Sequence, residues 1–285
     1  MPDISPSPAG ARIPSKGPFR MLALDIDGTL IDHSLRITPA NLAALKGAVA
    51  AGTRVVLATG RMFRSALPYA LEIGTTEALI CYQGAVVRQP DGTVLREWAM
   101  PPGAAATAVR LARELDLHVN LYQDDNFYIE RTGWGAERYA AVAQVEPRRV
   151  DDLMEIAAGG STKVVFVDHH QRLAELEARV RGALEPGSRV TFSMPEFLEV
   201  VDAGVSKAVA LQFVCDRYGI NATEVVAAGD GPNDRELFEF CGLAIAPSNA
   251  IAEVLAAADS TMPPPGDDGV ADLVSRYLGA PAQSL

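Results

Sequence analysis

Residues 21–30 read MLALDIDGTL, an aliphatic run that breaks off on two aspartates one residue apart, Asp25 and Asp27, followed by Gly28 and Thr29. An apolar strand that ends in carboxylates delivers charge to one edge of a sheet, where open α/β folds place their active sites. Acids at i and i+2 of an ending strand face one site only if the chain turns there, and Gly28 permits that turn. Such a pair can hold Mg²⁺ through hard oxygen ligands, attack an electrophile, or shuttle a proton. The same residues also suit an Asp-Gly turn after a buried strand. The segment alone leaves both readings open.

Three later segments narrow the choice. RVVLATGR at 54–61 is a second aliphatic strand ending in Thr59-Gly60-Arg61. EVVAAGDGPND at 224–234 is a third, ending in Gly229-Asp230-Gly231 with Asn233 and Asp234 just beyond, and Gly204-Val205-Ser206-Lys207 opens a helical run between them. Together they offer what a phosphate site needs: a hydroxyl, backbone N–H groups, a lysine, and further carboxylates for a metal. DxDGT, TGR, GxSK and GDxxND in this order resemble the haloacid dehalogenase superfamily of phosphohydrolases. The late lysine and the long segment between TGR and SK resemble its Cof-type branch (subfamily IIB, C2-type cap). The resemblance spans residues 20–278.

Charge and cysteine usage set limits on partners and compartment. The net charge of −11 argues against a general nucleic-acid binder, which would show a basic face. An anionic substrate then needs local cations, and a metal ion, Lys207 and Arg61 are the candidates. Cys81, Cys215 and Cys241 lie in apolar surroundings without a CxxC or zinc spacing, so free thiols in a reducing compartment are expected. His33, His118, His169 and His170 form no ligand pattern. No apolar run reaches the roughly 18–20 residues that span a bilayer. Residues 1–19 read as a flexible tail without a signal core, and the expected location is cytoplasmic.

Along the chain, Thr38-Pro39 opens a helix to about Ala50 and Gly52 stops it. Strand 53–58, helix 62–73 and strand 78–82 follow, and this alternation implies a parallel sheet. Near residue 84 the pattern changes. A hairpin turns about Pro90-Asp91-Gly92, and hairpins mixed with helices then suggest an α+β insert. The expected fold is therefore a Rossmann-like parallel-sheet α/β core, residues 20–85 and 191–285, with an inserted α+β cap over 86–190. The catalytic segments flank the insert, so one site must be assembled from both ends of the chain with the cap above it. Hinges are expected near Gln83-Gly84 and Gly187-Ser188.

The resemblance also implies roles. Asp25 is the nucleophile that forms an aspartyl-phosphate, and Asp27 protonates the leaving alkoxide and then activates water. Mg²⁺ is held by Asp25, Asp230 and the main-chain carbonyl of Asp27. Asp234 is a further ligand, or an acid that orients Lys207 or a metal-bound water, or simply a helix N-terminal acid. Thr59 and Gly60 donate to the phosphoryl group, and Lys207 holds both nucleophile and phosphate. Asn233 resembles a substrate- or phosphate-contacting amide of the family. Arg61 either meets phosphate or forms a surface ion pair. Three departures from the family pattern stand out: Gln83 where an asparagine is usual, Ala208 after the SK motif, and Pro247-Ser248-Asn249-Ala250 in place of Met-Gly-Asn-Ala.

The expected function is Mg²⁺-dependent hydrolysis of a small phosphorylated metabolite, a sugar phosphate, nucleotide, flavin mononucleotide or pyridoxal phosphate. The alternatives are a phosphomutase using the same intermediate and a non-catalytic phosphate-ligand-binding protein. Tyr122, Asp124, Asp125, Arg131 and Trp134 are candidate cap residues for facing the substrate. The sequence does not fix the oligomeric state.

Overall fold

The computed structural model describes residues 19–278. β1 (Met21–Leu24) and β2 (Arg54–Leu57) pair in parallel and are joined through α1 (Pro39–Ala50). The Thr38 side chain caps that helix by accepting from the Asn41 N–H. α2 (Phe63–Ile73) leads to β3 (Leu79–Cys81), which meets the end of β2 through a parallel bridge from Ala58 to Ile80. β3 then runs into the antiparallel strands β4 (Val86–Arg88) and β5 (Val94–Glu97).

The insert follows as α3 (Pro102–Glu114), β6 (His118–Gln123), β7 (Asn126–Ile129), α4 (Trp134–Ala143), β8 (Arg148–Arg149) and α5 (Leu153–Ala157). It continues with β9 (Lys163–Val167), α6 (His170–Leu184), β10 (Ser188–Met194) and β11 (Phe197–Asp202). Its six strands form one sheet in the order β10-β11-β9-β6-β7-β8. Strand alternation sorts the two faces. Val164, Phe166, Leu198 and Val200 pack under α3, α5 and α6, whereas Val165, Val167, Phe197 and Val201 belong to the cluster that continues into the core.

The chain returns through α7 (Lys207–Tyr218), β12 (Val225–Ala228), α8 (Arg235–Phe240), β13 (Leu243–Pro247), α9 (Ala252–Ala257), β14 (Ser260–Met262) and α10 (Gly269–Leu273). β12 pairs with the free side of β1, so the all-parallel core sheet runs β14-β13-β12-β1-β2. The order reverses between β1 and β12. Their C-terminal ends carry Asp25 and Asp230 respectively, so both acids lie at the switch point where crevices open in such sheets.

The expected core-plus-insert organisation is present, with shifted boundaries. β4 and β5 hydrogen-bond to β3, and Trp98 packs edge-on against Phe213 of α7, so this hairpin belongs with the core. β10 and β11 pair with β9 and so belong to the insert. The insert therefore runs from about residue 99 to 203, against the expected 86–190. The chain crosses between layers near 98–101 and 203–206, away from the expected hinges at 83–84 and 187–188. The physical reason is simple: a strand-like stretch must hydrogen-bond somewhere, and its own pattern does not name the sheet it joins. Of the expected N-terminal tail, residues 1–18 lie outside the described residues, and Phe19 packs against the core cluster. Among the described residues, no helix is long and apolar enough to cross a membrane.

The insert docks on the core through the β6–β7 turn. Asp125, at positive φ, accepts from the Tyr82 hydroxyl at 2.7 Å and from the Arg64 guanidinium at 3.2 Å. It also accepts the Arg64 backbone N–H at 3.4 Å, at the start of α2, where Met62 supplies no side-chain cap, and lies 3.9 Å from the Arg88 guanidinium. Asp125→Ala would strand the buried Tyr82 hydroxyl and this helix end, a loss of about 1–3 kcal/mol. The check is the urea unfolding free energy; a value equal to wild type would show that the carboxylate adds nothing to docking.

Candidate active site

Lys207 begins α7, just after the Ser206 cap, and its ammonium is fully buried. A cation in the first turn opposes the helix dipole, and burial removes its water, so the position costs free energy on both counts. Two carboxylates offset that cost. Nζ donates to Asp25 Oδ1 and to Asp234 Oδ1, each at 2.6 Å. Burial alone would lower the lysine pKa, but these two anions raise it well above the ordinary value, so Lys207 stays charged.

Asp234 is held from behind. Its Oδ2 accepts the N–H groups of Asp230 at 3.1 Å and Gly231 at 3.0 Å, closing the GDGPND loop on itself. Of the three readings open for Asp234, this geometry favours the acid that orients Lys207, because both oxygens already have protein partners. Asp230 sits on the other side of the cluster, where the Thr29 hydroxyl donates to its Oδ1 at 3.1 Å. Gly28, at φ 81°, lies so close that a Cβ there would overlap the Asp230 carboxylate. The glycine of DxDGT is thus required twice, for its left-handed backbone and for the approach of Asp230.

One oxygen from each of Asp25, Asp230 and Asp234 lies within 4.8 Å of the others. Three acids sharing one lysine leave excess negative charge in a buried place. Burial, and next the neighbouring Asp234, push the Asp230 carboxyl up to about 7. Burial, against the pull of Lys207, also raises Asp25 well above the usual carboxylate range. A hard divalent cation would relieve this strain, and an all-oxygen donor set of this kind suits Mg²⁺. Asp27 differs. Its carboxylate stands outside the cluster and receives a bidentate pair from Arg61, Nε to Oδ2 at 2.7 Å and Nη2 to Oδ1 at 2.6 Å. Any part of Asp27 in holding a metal would fall to its main-chain carbonyl.

Arg61 is not a surface residue, which removes one of its two expected readings: it is buried and also donates to the Ser65 hydroxyl at 3.0 Å. That hydroxyl donates in turn to the Ala143 carbonyl at the end of α4 in the insert. Thr59 and Gly60 lie at the C-terminal end of β2, facing the same cavity as Asp25, Asp27 and Asn233. Gln83 keeps an amide role despite its extra methylene: its Oε1 accepts from Asn233 Nδ2 at 2.9 Å. Gln83 also crowds Gly60, where any Cβ would overlap its amide.

The roof of the cavity overturns the expected cap residues. It is formed by Tyr139, Val142, Met194 and Phe197, with Ser193 and Glu199 as polar members. Tyr122 is buried within the insert, Asp125 docks on the core, Arg131 pairs with Asp116, Trp134 stacks on His169, and Asp124 is not among the lining residues. Aromatic and charged residues near turns drew attention in the sequence, but the roof comes from α4 and the β10–β11 hairpin. A further feature went unnoticed: Lys163 and Glu199, buried and paired at 3.0 Å, on the core-facing side of the insert sheet. A signal for both existed, since Lys163 opens the apolar run KVVFV and Glu199 interrupts the apolar run FLEVV ahead of Asp202.

Comparisons with known proteins agree with this geometry. The family model for haloacid dehalogenase-like hydrolases matches residues 22–274. An HMP-PP phosphatase of Serratia proteamaculans (strain 568) is 27% identical over 243 residues, covering 83% of this chain and 86% of that protein. The crystal structure of TM0651 from Thermotoga maritima superposes with a TM-score of 0.79 at 31% identity, covering 91% of this chain and 97% of that one. The subclass IIB sugar phosphatase BT4131, at 22% identity, has the same fold with a TM-score of 0.79, over 90% of this chain and 98% of its own. The carboxylate cluster at the switch point, the buried lysine and the inserted sheet therefore have an established context: the chain belongs to the haloacid dehalogenase-like hydrolase family.

Proposed function

We propose that the protein hydrolyses a small phosphorylated metabolite with Mg²⁺ through an aspartyl-phosphate on Asp25. The observation that supports this reading most is the buried Asp25–Lys207–Asp234 array, which holds a carboxylate in place beside further acids at the mouth of a parallel sheet. Lys207 orients the attacking oxygen of Asp25 and offsets the charge of an arriving phosphoryl group. Asp230 and Asp25, with the Asp27 carbonyl, would hold the Mg²⁺, which neutralises charge on the phosphoryl oxygens when bound. Thr59 and the Gly60 N–H receive the same group from the β2 side. Asp27 stands next to Asp25 but outside the carboxylate cluster, as suits a residue that gives a proton to the leaving oxygen and takes one from water. Arg61 fixes its orientation.

The largely apolar roof fits a leaving group with one apolar or aromatic face, packed under Tyr139 and Phe197. The relatives named for HMP-PP and sugar phosphates mark two ends of the range of substrates worth assaying. A phosphomutase would share every residue above, so release of inorganic phosphate separates the two. A binding protein would not need Asp27. A cytoplasmic location accords with the three free thiols.

Inorganic phosphate should accumulate with Mg²⁺ and cease in excess chelator; equal turnover in chelator would remove the metal from the mechanism. The protonation of the metal-free cluster gives a linked expectation. Asp230 titrates near 7 when folded against about 3.8–3.9 unfolded, so its ionisation destabilises the metal-free fold as pH rises through that window. Protons also compete with Mg²⁺ for the same oxygen. Added Mg²⁺ should therefore raise Tm more at pH 8 than at pH 5, and an equal rise would place the ion elsewhere.

Asp25→Asn should preserve the fold and lower turnover by more than about 10³-fold, because the amide is nearly isosteric yet not a usable nucleophile. Substantial residual rate, with deamidation excluded by mass spectrometry, would point to direct attack by water.

Asp27→Asn should slow single-turnover release of an alkoxide by about 10²–10⁴-fold, since that strongly basic oxygen needs a proton. Release of nitrophenolate, a far weaker base, should slow only mildly. Equal losses for both leaving groups would assign Asp27 to structural support.

A further inference from the structure

Lys163 and Glu199 are charged, buried and unused by the chemistry above. Both lie on the core-facing side of the insert sheet, on adjacent antiparallel strands, because Glu199 pairs with Val165 and side chains alternate along β9. A buried ion pair is weak evidence of stabilisation, since the desolvation of two charges can cancel their attraction. Two of their remaining contacts point to a different use, because they reach across to the Gly60 and Gln83 loops of the core.

Lys163 Nζ donates to the main-chain carbonyl of Gly60 at 2.6 Å. That carbonyl shares a planar peptide unit with the N–H of Arg61. The same N–H donates to Thr59 Oγ1 at 3.1 Å. Fixing one end of the peptide fixes the other, so the ammonium in the insert sets the direction from which the Thr59 hydroxyl accepts. The hydroxyl then keeps its own proton free to donate. Glu199 works on the second loop. Its Oε1 takes the Lys163 ammonium at 3.0 Å and the Ser193 hydroxyl at 2.8 Å, while Oε2 accepts from Gln83 Nε2 at 2.9 Å. With the Gln83 amide held that way round, its carbonyl oxygen faces Asn233 and accepts from Nδ2 at 2.9 Å.

We propose that Lys163 and Glu199 are positioning residues: docking the insert orients Thr59 through the Gly60–Arg61 peptide, and Asn233 through Gln83. The donors that receive the phosphoryl group are then aligned only when the cap is seated. Binding of a metabolite and assembly of its transition-state contacts become one event, and water entering an open site meets misaligned donors. The ammonium is well suited to this work. Besides its two oxygen partners it lies 5.1 Å from the centroid of the Tyr122 ring, which favours a cation. The proposal rests on the phosphatase reading, and its test separates the two.

Three variants would be compared with wild type on p-nitrophenyl phosphate with Mg²⁺ and for inhibition by orthovanadate, which mimics the pentacoordinate phosphorus. Lys163→Met and Glu199→Gln each break the chain at one point. The double variant removes both charges, so it folds without an unpaired buried ion even where Lys163→Met does not. Misplacement of catalytic groups by about 1 Å costs on the order of 10²-fold. The expected result is a fall in kcat of about 10–10² with KM nearly unchanged, and a parallel loss of vanadate affinity. A purely structural pair would lower Tm while leaving kcat and vanadate inhibition of the folded protein as in wild type, and that result overturns the proposal. Wild-type protein that releases no phosphate from any phosphomonoester overturns the phosphatase reading and this proposal with it. Active wild type matched by a folded double variant overturns the positioning role alone.

Discussion

A lysine with no access to water, held between two carboxylates, is the constraint from which the site is built. Lys207 enters at the first turn of α7, where the helix dipole disfavours it, and the Asp25 and Asp234 carboxylates must meet it from two other elements. Asp25 follows β1 and Asp234 closes the loop after β12, so the ion array can form only when these two strands pair side by side. Breaking one partner of such an array typically costs about 3–5 kcal/mol. Pairing of β1 with β12 and assembly of the charges are therefore one cooperative event, and the catalytic geometry is part of the fold.

The excess of acids over that lysine is the second consequence. Three buried carboxylates around one ammonium are poorly balanced without a cation, and burial with crowding of like charges holds both Asp230 and Asp25 above the usual carboxylate range. A site balanced in the absence of metal would bind it weakly. Here the imbalance is concentrated where a phosphoryl group is to be received, while the protein as a whole is anionic. On the proposed function, Lys207 and a divalent ion held by these acids would reverse, over a few ångströms, a charge that otherwise repels an anionic substrate.

The insert adds a second layer of control from above. It touches the core through Asp125 at one end, Ser65 and the end of α4 beside Arg61, and Lys163 with Glu199 over the Gly60 and Gln83 loops. The second leads to Asp27 through Ser65 and Arg61, and the third to Thr59 through the Gly60–Arg61 peptide and to Asn233 through Gln83. A largely apolar roof covers the same space. One structural element therefore lines the pocket and, on the reading proposed above, would steady the residues that act on phosphorus.

The order of elements and the parallel core were legible in the sequence, as was a list of polar residues, Asp25, Asp27, Thr59, Lys207, Asp230 and Asn233, that the structure gathers around one cavity. Each rests on short-range chemistry: an aliphatic run cut off by acids, a glycine at a turn, or a cap before a helix. The expected strands and helices also match the structure within a few residues. Pairing partners were not legible. The strands at 86–97 and 188–202 changed sides because main-chain hydrogen bonds are made with whichever sheet edge is near, and that is decided by the three-dimensional path of the chain. The roof residues Tyr139, Met194 and Phe197 carry no sequence signal that sets them apart from ordinary core, for the same reason. Arg61 read equally well as a surface ion pair until its partner, 34 positions earlier, came into view. Lys163 and Glu199 are 36 residues apart, and each alone is only an odd charge in an apolar strand. The sequence determined which chemical groups the protein carries and on which kind of element each sits. Tertiary structure alone decided which of them meet, because a buried charge gains its function only from the partners that folding places within hydrogen-bonding distance.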